Sequence, residues 1–455
     1  MLQIFLTLEA ALKPLEMRRS TPPDLFKHRL ENILAMKHEL IRLSEMIDWS
    51  SLAEDFGSFY SEEVGRPGKP IRLMAGLILL QHTYDLSDEQ VVLRWRENPY
   101  WQYFCGFEYF QHDFPIDPTS LIKWRKRIGG KGCEKILSLT IQAGMESRII
   151  TKRDIRRVIV DTTVQEKNIA FPTDSALYLD ALEKLVKPYA RKAKALSVKI
   201  SNYARAKQFK RMHKPLRTLK CLLGRVVRDL KRKASLEDLG NLVLSYLLDL
   251  SEELLAQTKK SKNKIYSLHA SEVECIAKGK AHKQYEFGNK VALVIPLKKS
   301  FVVGLNSLQG NPYDGHTLKR SLEQVHKLTR IKVTQAFVDM GYRNHGLQDV
   351  DVFYSRQKRG ITKTIKRHLK RRQAIEPIIG HLKQDGKLGR NYLKGIVGNE
   401  INAPLSGAGF NLRTILNKIN LIFQPLLRYS WRYLVPGVAL SSISAPKSPF
   451  SGRTI

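Results

Sequence analysis

The sequence predicts an α/β protein: a sheet-bearing domain split by a long helical insertion after its first strand, preceded by an all-α domain. Three observations predict it. Residues 24–150 carry apolar positions at helical spacing and no alternating strand pattern. From Arg156 onward, short β-branched runs appear, two of them ended by an aspartate. Between the first such run and the next, from about 175 to 260, the pattern returns to helix and becomes strongly basic.

Residues 1–23 form a leader of uncertain order; Met1 to Leu12 is mildly apolar but lacks a basic leading segment and contains Glu9, so it reads as an ordinary helix, with Met17 as an alternative start. In the α domain, Leu25 to Met46 mixes apolar and charged residues at helical spacing, and Val64 to Pro70 is a rigid basic turn. Ile71 to Tyr84 is apolar enough for a buried helix. Ser87 is placed to cap a helix over Asp88–Glu97 that Asn98-Pro99 stops. Asp117-Pro118 opens another, bearing Ser120, Lys123, Trp124, Arg125, Lys126 and Arg127. Two short helices with a basic second member resemble a helix-turn-helix reader of the major groove, with a longer connection than usual. A helical bundle with a basic outer face accounts for the pattern equally well. Trp95, Trp101 and Trp124 are expected in the core.

In the second domain, 151–425, a first strand ends at Asp161 in Val158-Ile159-Val160-Asp161. Strand character resumes at Tyr285–Pro296 and Phe301–Leu305, a helix follows at His316–Lys327, and a strand ends at Asp339. A short strand, Val350–Tyr354, and a helix bearing Glu376 complete the order, which is that of an RNase H-like sheet. Apolar helical segments continue from Ile401 to Ile422, and 426–455 is expected to be a disordered tail.

Composition narrows the partner. The 455 residues carry a formal net charge of +34, which a polyanion such as DNA would screen. The four cysteines are scattered without a CxxC pair, which argues against a zinc knuckle or disulfide framework and fits a reducing cytoplasm. His269, His282, His316, His345 and His381 form no zinc-binding spacing. No apolar run reaches transmembrane length.

Asp161, Asp339 and Glu376 carry the candidate chemistry. In an RNase H-like sheet the first and fourth strands are neighbours, so the two aspartates should meet at one sheet edge, where they would repel unless divalent cations lay between them. Magnesium, with manganese as a substitute, takes oxygen ligands and serves phosphodiester chemistry. Arg372, Glu376 and Lys383 follow the spacing R-x3-E-x6-K, which gathers them on one helical face unless Pro377 breaks the helix. Glu166 and Asp174 are weaker candidate ligands, and Tyr342 and His345 are expected to pack in a turn.

The chain resembles the DDE transposases of bacterial insertion sequences, in the branch with a Tyr-Arg-Glu-Lys signature, over about Asp24 to Leu416. The matching residues are Arg66-Pro67 with the helix behind it, Phe114-Pro115-Ile116-Asp117-Pro118-Thr119-Ser120-Leu121 with Trp124-Arg125, Asn311-Pro312-Tyr313-Asp314-Gly315-His316, Asp339-Met340-Gly341-Tyr342 and the Glu376 helix. The signature tyrosine position holds Leu369. The resemblance implies that Asp161, Asp339 and Glu376 are catalytic and bind metal, that Arg372 and Lys383 hold DNA phosphates, and that the α domain recognises terminal inverted repeats, with Lys123, Arg125, Lys126 and Arg127 facing DNA. It further implies a double-stranded DNA partner (transposon ends and target), a homodimer or higher synaptic complex, no membrane, and a cytoplasmic, nucleoid-associated protein. A catalytically silent DNA-binding repressor and a structure-specific nuclease are the alternative readings.

Overall fold

The computed structural model describes residues 11–12, 28–61, 66–234, 241–258, 260–279, 283–357 and 359–434. The leader apart from Ala11-Leu12, Val64 and Gly65 of the basic turn, His282, and the tail from 435 lie outside the described residues. Ala11–Leu12 (β1) is extended rather than helical and pairs in parallel with Arg66–Pro67 (β2).

Six further strands form one sheet: β3 (Arg157–Glu166), β4 (Glu274–Ala277), β5 (Tyr285–Pro296), β6 (Gly304–Leu308), β7 (Gln335–Val338) and β8 (Asp351–Tyr354). Their order is β4-β5-β3-β7-β8, with β6 also on β5. β7 runs parallel to β3 and to β8, whereas β5 is antiparallel to β3, β4 and β6. Central strands buried on both faces should read as unbroken apolar runs, and Val158, Ile159, Val160, Ala336, Phe337 and Val338 are all fully buried.

Four elements depart from the sequence reading. β4 is too short to announce itself. β6 begins three residues later than expected because Asn411 takes up the backbone of Val302: its side-chain oxygen accepts from the Val302 N–H (2.8 Å) and its amide donates to the Val302 carbonyl (2.8 Å). The last helix, Gly395–Leu434, continues past residue 426, where a tail was expected to begin. The expected Leu25–Met46 helix is divided, among the described residues, into Leu30–Ile33 and Glu39–Met46, with His38 capping the second.

One apolar core runs from Leu40 to Ile419 and joins the N-terminal helices to the sheet. The insertion has its own core, from Leu177 to Leu268, built by helices Asp174–Leu185, Lys187–Arg205, Phe209–Lys233 and Leu242–Ala256. Gly395–Leu434 crosses the buried helix Ile71–Thr83 at Gly409, where a Cβ would stand 2.3 Å from the His82 carbonyl oxygen. Arg413 then donates to the carbonyls of His82 (2.9 Å) and Thr83 (3.2 Å). None of the described helices is long and apolar enough to cross a membrane.

This crossing makes a pH prediction. His82 is fully buried, and burial, then Lys387, Arg125 and Arg413, holds its imidazole well below the ordinary 6.5. The unfolded chain therefore binds a proton that the folded one refuses, so stability should be full above about pH 6.5 and fall as pH drops toward the depressed value. Melting temperature followed against pH in wild type and His82→Gln should show a shallower acid loss in the variant; parallel curves would refute it.

Candidate active site

β3 and β7 bring the two aspartates together. Pairing between them ends at Ile159↔Phe337; two residues further along each strand are Asp161 and Asp339, on the same side of the sheet. Asp161 does not end its strand, as the sequence had suggested: β3 continues to Glu166 against β5. What ends beside it is β7, so the aspartate stands where one neighbour stops and a cleft opens.

A single guanidinium answers both carboxylates. Arg372 Nη1 lies 3.2 Å from Asp161 Oδ2, and Nη2 lies 3.9 Å from Asp339 Oδ1. Thr162 N–H also donates to Asp161 (2.8 Å), and Ser355 Oγ donates to Asp339. The two acids are driven apart in acidity. Burial pushes Asp161 up, with Asp339 and Asp314 adding repulsion against the pull of Arg372 and Thr162. Asp339 is held below its ordinary value, chiefly by the Ser355 hydroxyl, with Arg372 helping.

Arg372 reaches this position through a break in the helix. It stands at the junction of Lys363–Arg371, a 3-10 turn Arg372–Ala374, and Ile375–Gln384. Arg371 ties the junction to the end of β5 by donating to the carbonyls of Leu297 (2.9 Å) and Lys298 (3.0 Å). Pro377 lies in the first turn of the second helix, where its missing N–H costs no intrahelical bond. Ile375, Ile378 and Leu382 bury one face of that helix, which turns Glu376 outward. Glu376 is exposed and forms no hydrogen bond or ion pair among the described residues. Lys383, two turns on, contacts Glu286 (3.2 Å) and Glu166 (3.6 Å). Glu166 is also held by Lys283 at 2.7 Å, so it is already neutralised. Asp174 starts the first insertion helix.

A third acid, Asp314, adds its charge beside Asp161; in the sequence it stood only within the stretch Asn311 to His316. It accepts from Thr162 Oγ1 (3.0 Å) and Lys290 Nζ (3.1 Å). Its signal was the Asp314-Gly315 pair at a helix start: a Cβ at Gly315 would stand 2.5 Å from the Arg343 carbonyl in the turn that follows Asp339. Burial lowers the basicity of half-buried Lys278, against the pull of Glu286 and, more weakly, of Asp161 and Asp314. Tyr342 is buried in the core, and His345 accepts from the Leu347 N–H (3.0 Å) within its turn.

The donor set offers a hard cation oxygen ligands only, from two carboxylates that the Arg372 guanidinium bridges in its place. Among the described residues, however, no three His, Cys, Asp or Glu side chains converge closely enough to hold a metal ion. Glu376 is the member that stays outside.

The basic helix of the N-terminal region divides its residues. Lys123 and Lys126 are exposed, and Arg127 lies over the Tyr60 ring at 5.0 Å. Arg125, expected to face DNA, points inward instead. It is 5% exposed and donates to both carboxylate oxygens of Asp88 and to Gln81 (3.1 Å). Trp124 beside it is buried and donates to Tyr60 Oη (2.9 Å). The helix spans Thr119–Glu146 with a break at Gly129, so the basic stretch is a separate arm of it.

Comparison with known proteins supplies the family. The model of a transposase domain (DUF772) matches residues 28–127. A curated relative, "Uncharacterized protein ORF8 in nfe locus" of Rhizobium meliloti, is 48% identical over 208 residues, which cover 42% of this chain and 100% of the relative. The chain belongs to one family with that relative, whose printed name states no activity, and its residues 28–127 match a transposase domain. No solved structure matches it. The family match covers the helices that carry Arg125 and Asp88 and stops before β3, so the carboxylate site rests on its own geometry.

Proposed function

We propose that this protein is a metal-dependent DNA transposase of the DDE type, with an RNase H-like catalytic domain over 151–425 and an end-recognising helical region over 24–150. The observation that carries the proposal is the meeting of Asp161 and Asp339 on adjacent parallel strands around Arg372. Counted without β4, the sheet strands β3 and β7 are first and fourth in chain order and lie side by side, which favours the RNase H-like reading.

In this reading Asp161, Asp339 and Glu376 hold divalent magnesium, for which manganese can substitute. The bound metal would activate a water or a DNA 3′-hydroxyl and stabilise the leaving 3′-oxygen. Asp161 and Asp339 supply preorganised charge from rigid strands. Arg372, released from the aspartates, would neutralise a phosphate, and Lys383 would do the same further along the helix. Glu376 must turn toward the aspartates to complete the ligand set. Lys123, Lys126 and Arg127 would contact the element's ends. Two ends must be joined, so the working form is a dimer or larger complex on DNA.

The outward position of Glu376 favours one second reading, a DNA-binding repressor without catalysis. Duplexes carrying the element's ends, incubated with the protein with and without Mg²⁺, separate the two. Metal-dependent nicking followed by joined product is the expected result. Binding without cleavage would support the repressor, and cleavage without joining a nuclease.

A further inference from the structure

We infer that the helical insertion binds the phosphodiester backbone of duplex DNA in a groove along its helix Phe209–Lys233. The inference deepens the transposase reading and rests on DNA being the substrate.

Residues 184–233 hold 18 Lys and Arg and one acid, Asp229, a net of 18 − 1 = +17, half of the chain's +34. That charge is organised. Leu219, Leu222, Leu223, Val226 and Val227 turn one face of the helix into the insertion core. The other face borders a groove of about 690 Å³, which Lys210, Lys214, Arg217 and Lys220 line from this helix, Lys264 from the returning chain, and Asp174 as its one carboxylate. Lys210, Lys214 and Arg217 are exposed, and Lys220 is half-buried. None of these four forms an ion pair among the described residues, whereas Lys231 and Arg232 on the same helix pair with Glu252 and Asp229.

The spacing fits a nucleic-acid strand. Positions 210, 214, 217 and 220 fall within an arc of roughly 120° and span about 15 Å of helix. That is the rise of about four phosphates along one strand of B-form duplex. Four like charges held open without internal partners repel one another, and a row of phosphates relieves that repulsion while releasing counterions. The groove is too small for a whole duplex and suits one backbone strand. The insertion leaves the sheet directly after Glu166, at the end of the strand that carries Asp161, so DNA held there belongs to the same complex as DNA at the carboxylates.

The test uses the full chain, a random-sequence duplex and no divalent metal, with binding followed by fluorescence anisotropy between about 50 and 200 mM salt. Lys210→Ala/Lys214→Ala/Arg217→Ala should reduce the slope of log K against log salt by about 3 and weaken binding by about tenfold or more. Lys231→Ala/Arg232→Ala, whose charges are already paired, should leave the slope nearly unchanged. Equal slopes for wild type and the groove variant, equal losses in both variants, or a loss seen with single-stranded RNA but not duplex would each overturn the inference. Melting temperature checks that the variants fold. Because no cleavage is read, a protein that failed to cut DNA would count against the catalytic reading and leave this result standing.

Discussion

Asp161→Asn is expected to reduce metal-dependent strand cleavage by more than about 100-fold, beyond the loss usual for groups that only orient a metal ligand, while binding to DNA ends stays nearly intact. Asparagine preserves the shape and can still accept the Thr162 N–H bond at 2.8 Å. It removes the charge that a cation requires. Stability should not suffer, because Asp161 is a buried carboxylate pushed up in pKa by burial and by Asp339 and Asp314; removing it relieves repulsion even as Arg372 loses its closer partner. Rates on end-bearing duplexes, with anisotropy and a thermal melt on the same preparation, check all three parts. Undiminished cleavage would exclude Asp161 from the chemistry, and a collapsed melt would make its role structural.

The second large effect is on folding. Arg125→Ala should lower stability by about 3 kcal/mol or more, because it strands a partly buried carboxylate. The side chains of Arg125 and Asp88 are 6% and 16% exposed. Burial alone would raise the Asp88 pKa, but the bonds from Arg125 and Gln81 outweigh it and hold it low. This stabilisation is present above the ordinary carboxylate range and is lost as pH falls through the depressed value, so the wild-type advantage over Arg125→Ala should shrink in acid. Lys126→Ala, on the exposed side of the same helix, should change stability by less than about 0.5 kcal/mol and weaken DNA binding instead. Denaturant unfolding of the two variants distinguishes them; equal stability would place Arg125 on the surface in solution.

Arg125 shows where reading the sequence stops. Its neighbours Lys123, Lys126 and Arg127 have the same charge and lie in the same helix, and only the three-dimensional position of Asp88, 37 residues earlier, turns it inward. The strands were legible because Val158–Val160 and Ala336–Val338 are buried on both faces and need continuous apolar side chains. The meeting of Asp161 and Asp339 followed from strand order, and the basic insertion from its one-signed charge. Asp314 was hidden because an aspartate before glycine at a helix start looks like turn chemistry wherever it occurs. Arg372 and Glu376 could not be resolved from spacing alone. Whether Arg-x3-Glu shares a face depends on an unbroken helix, and the 3-10 turn at Arg372–Ala374 interrupts it. That turn sends Arg372 to the aspartates and leaves Glu376 at the surface.

The most direct test of the carboxylate site is Mn²⁺ binding followed by electron paramagnetic resonance, with DNA ends present, in wild type, Asp161→Asn, Asp339→Asn and the double variant. If the two aspartates share a cation, each single variant should lose most of the bound-metal signal, and the double variant should be little worse than either. Binding that survives both substitutions, or falls in independent additive steps, would contradict a shared site on β3 and β7.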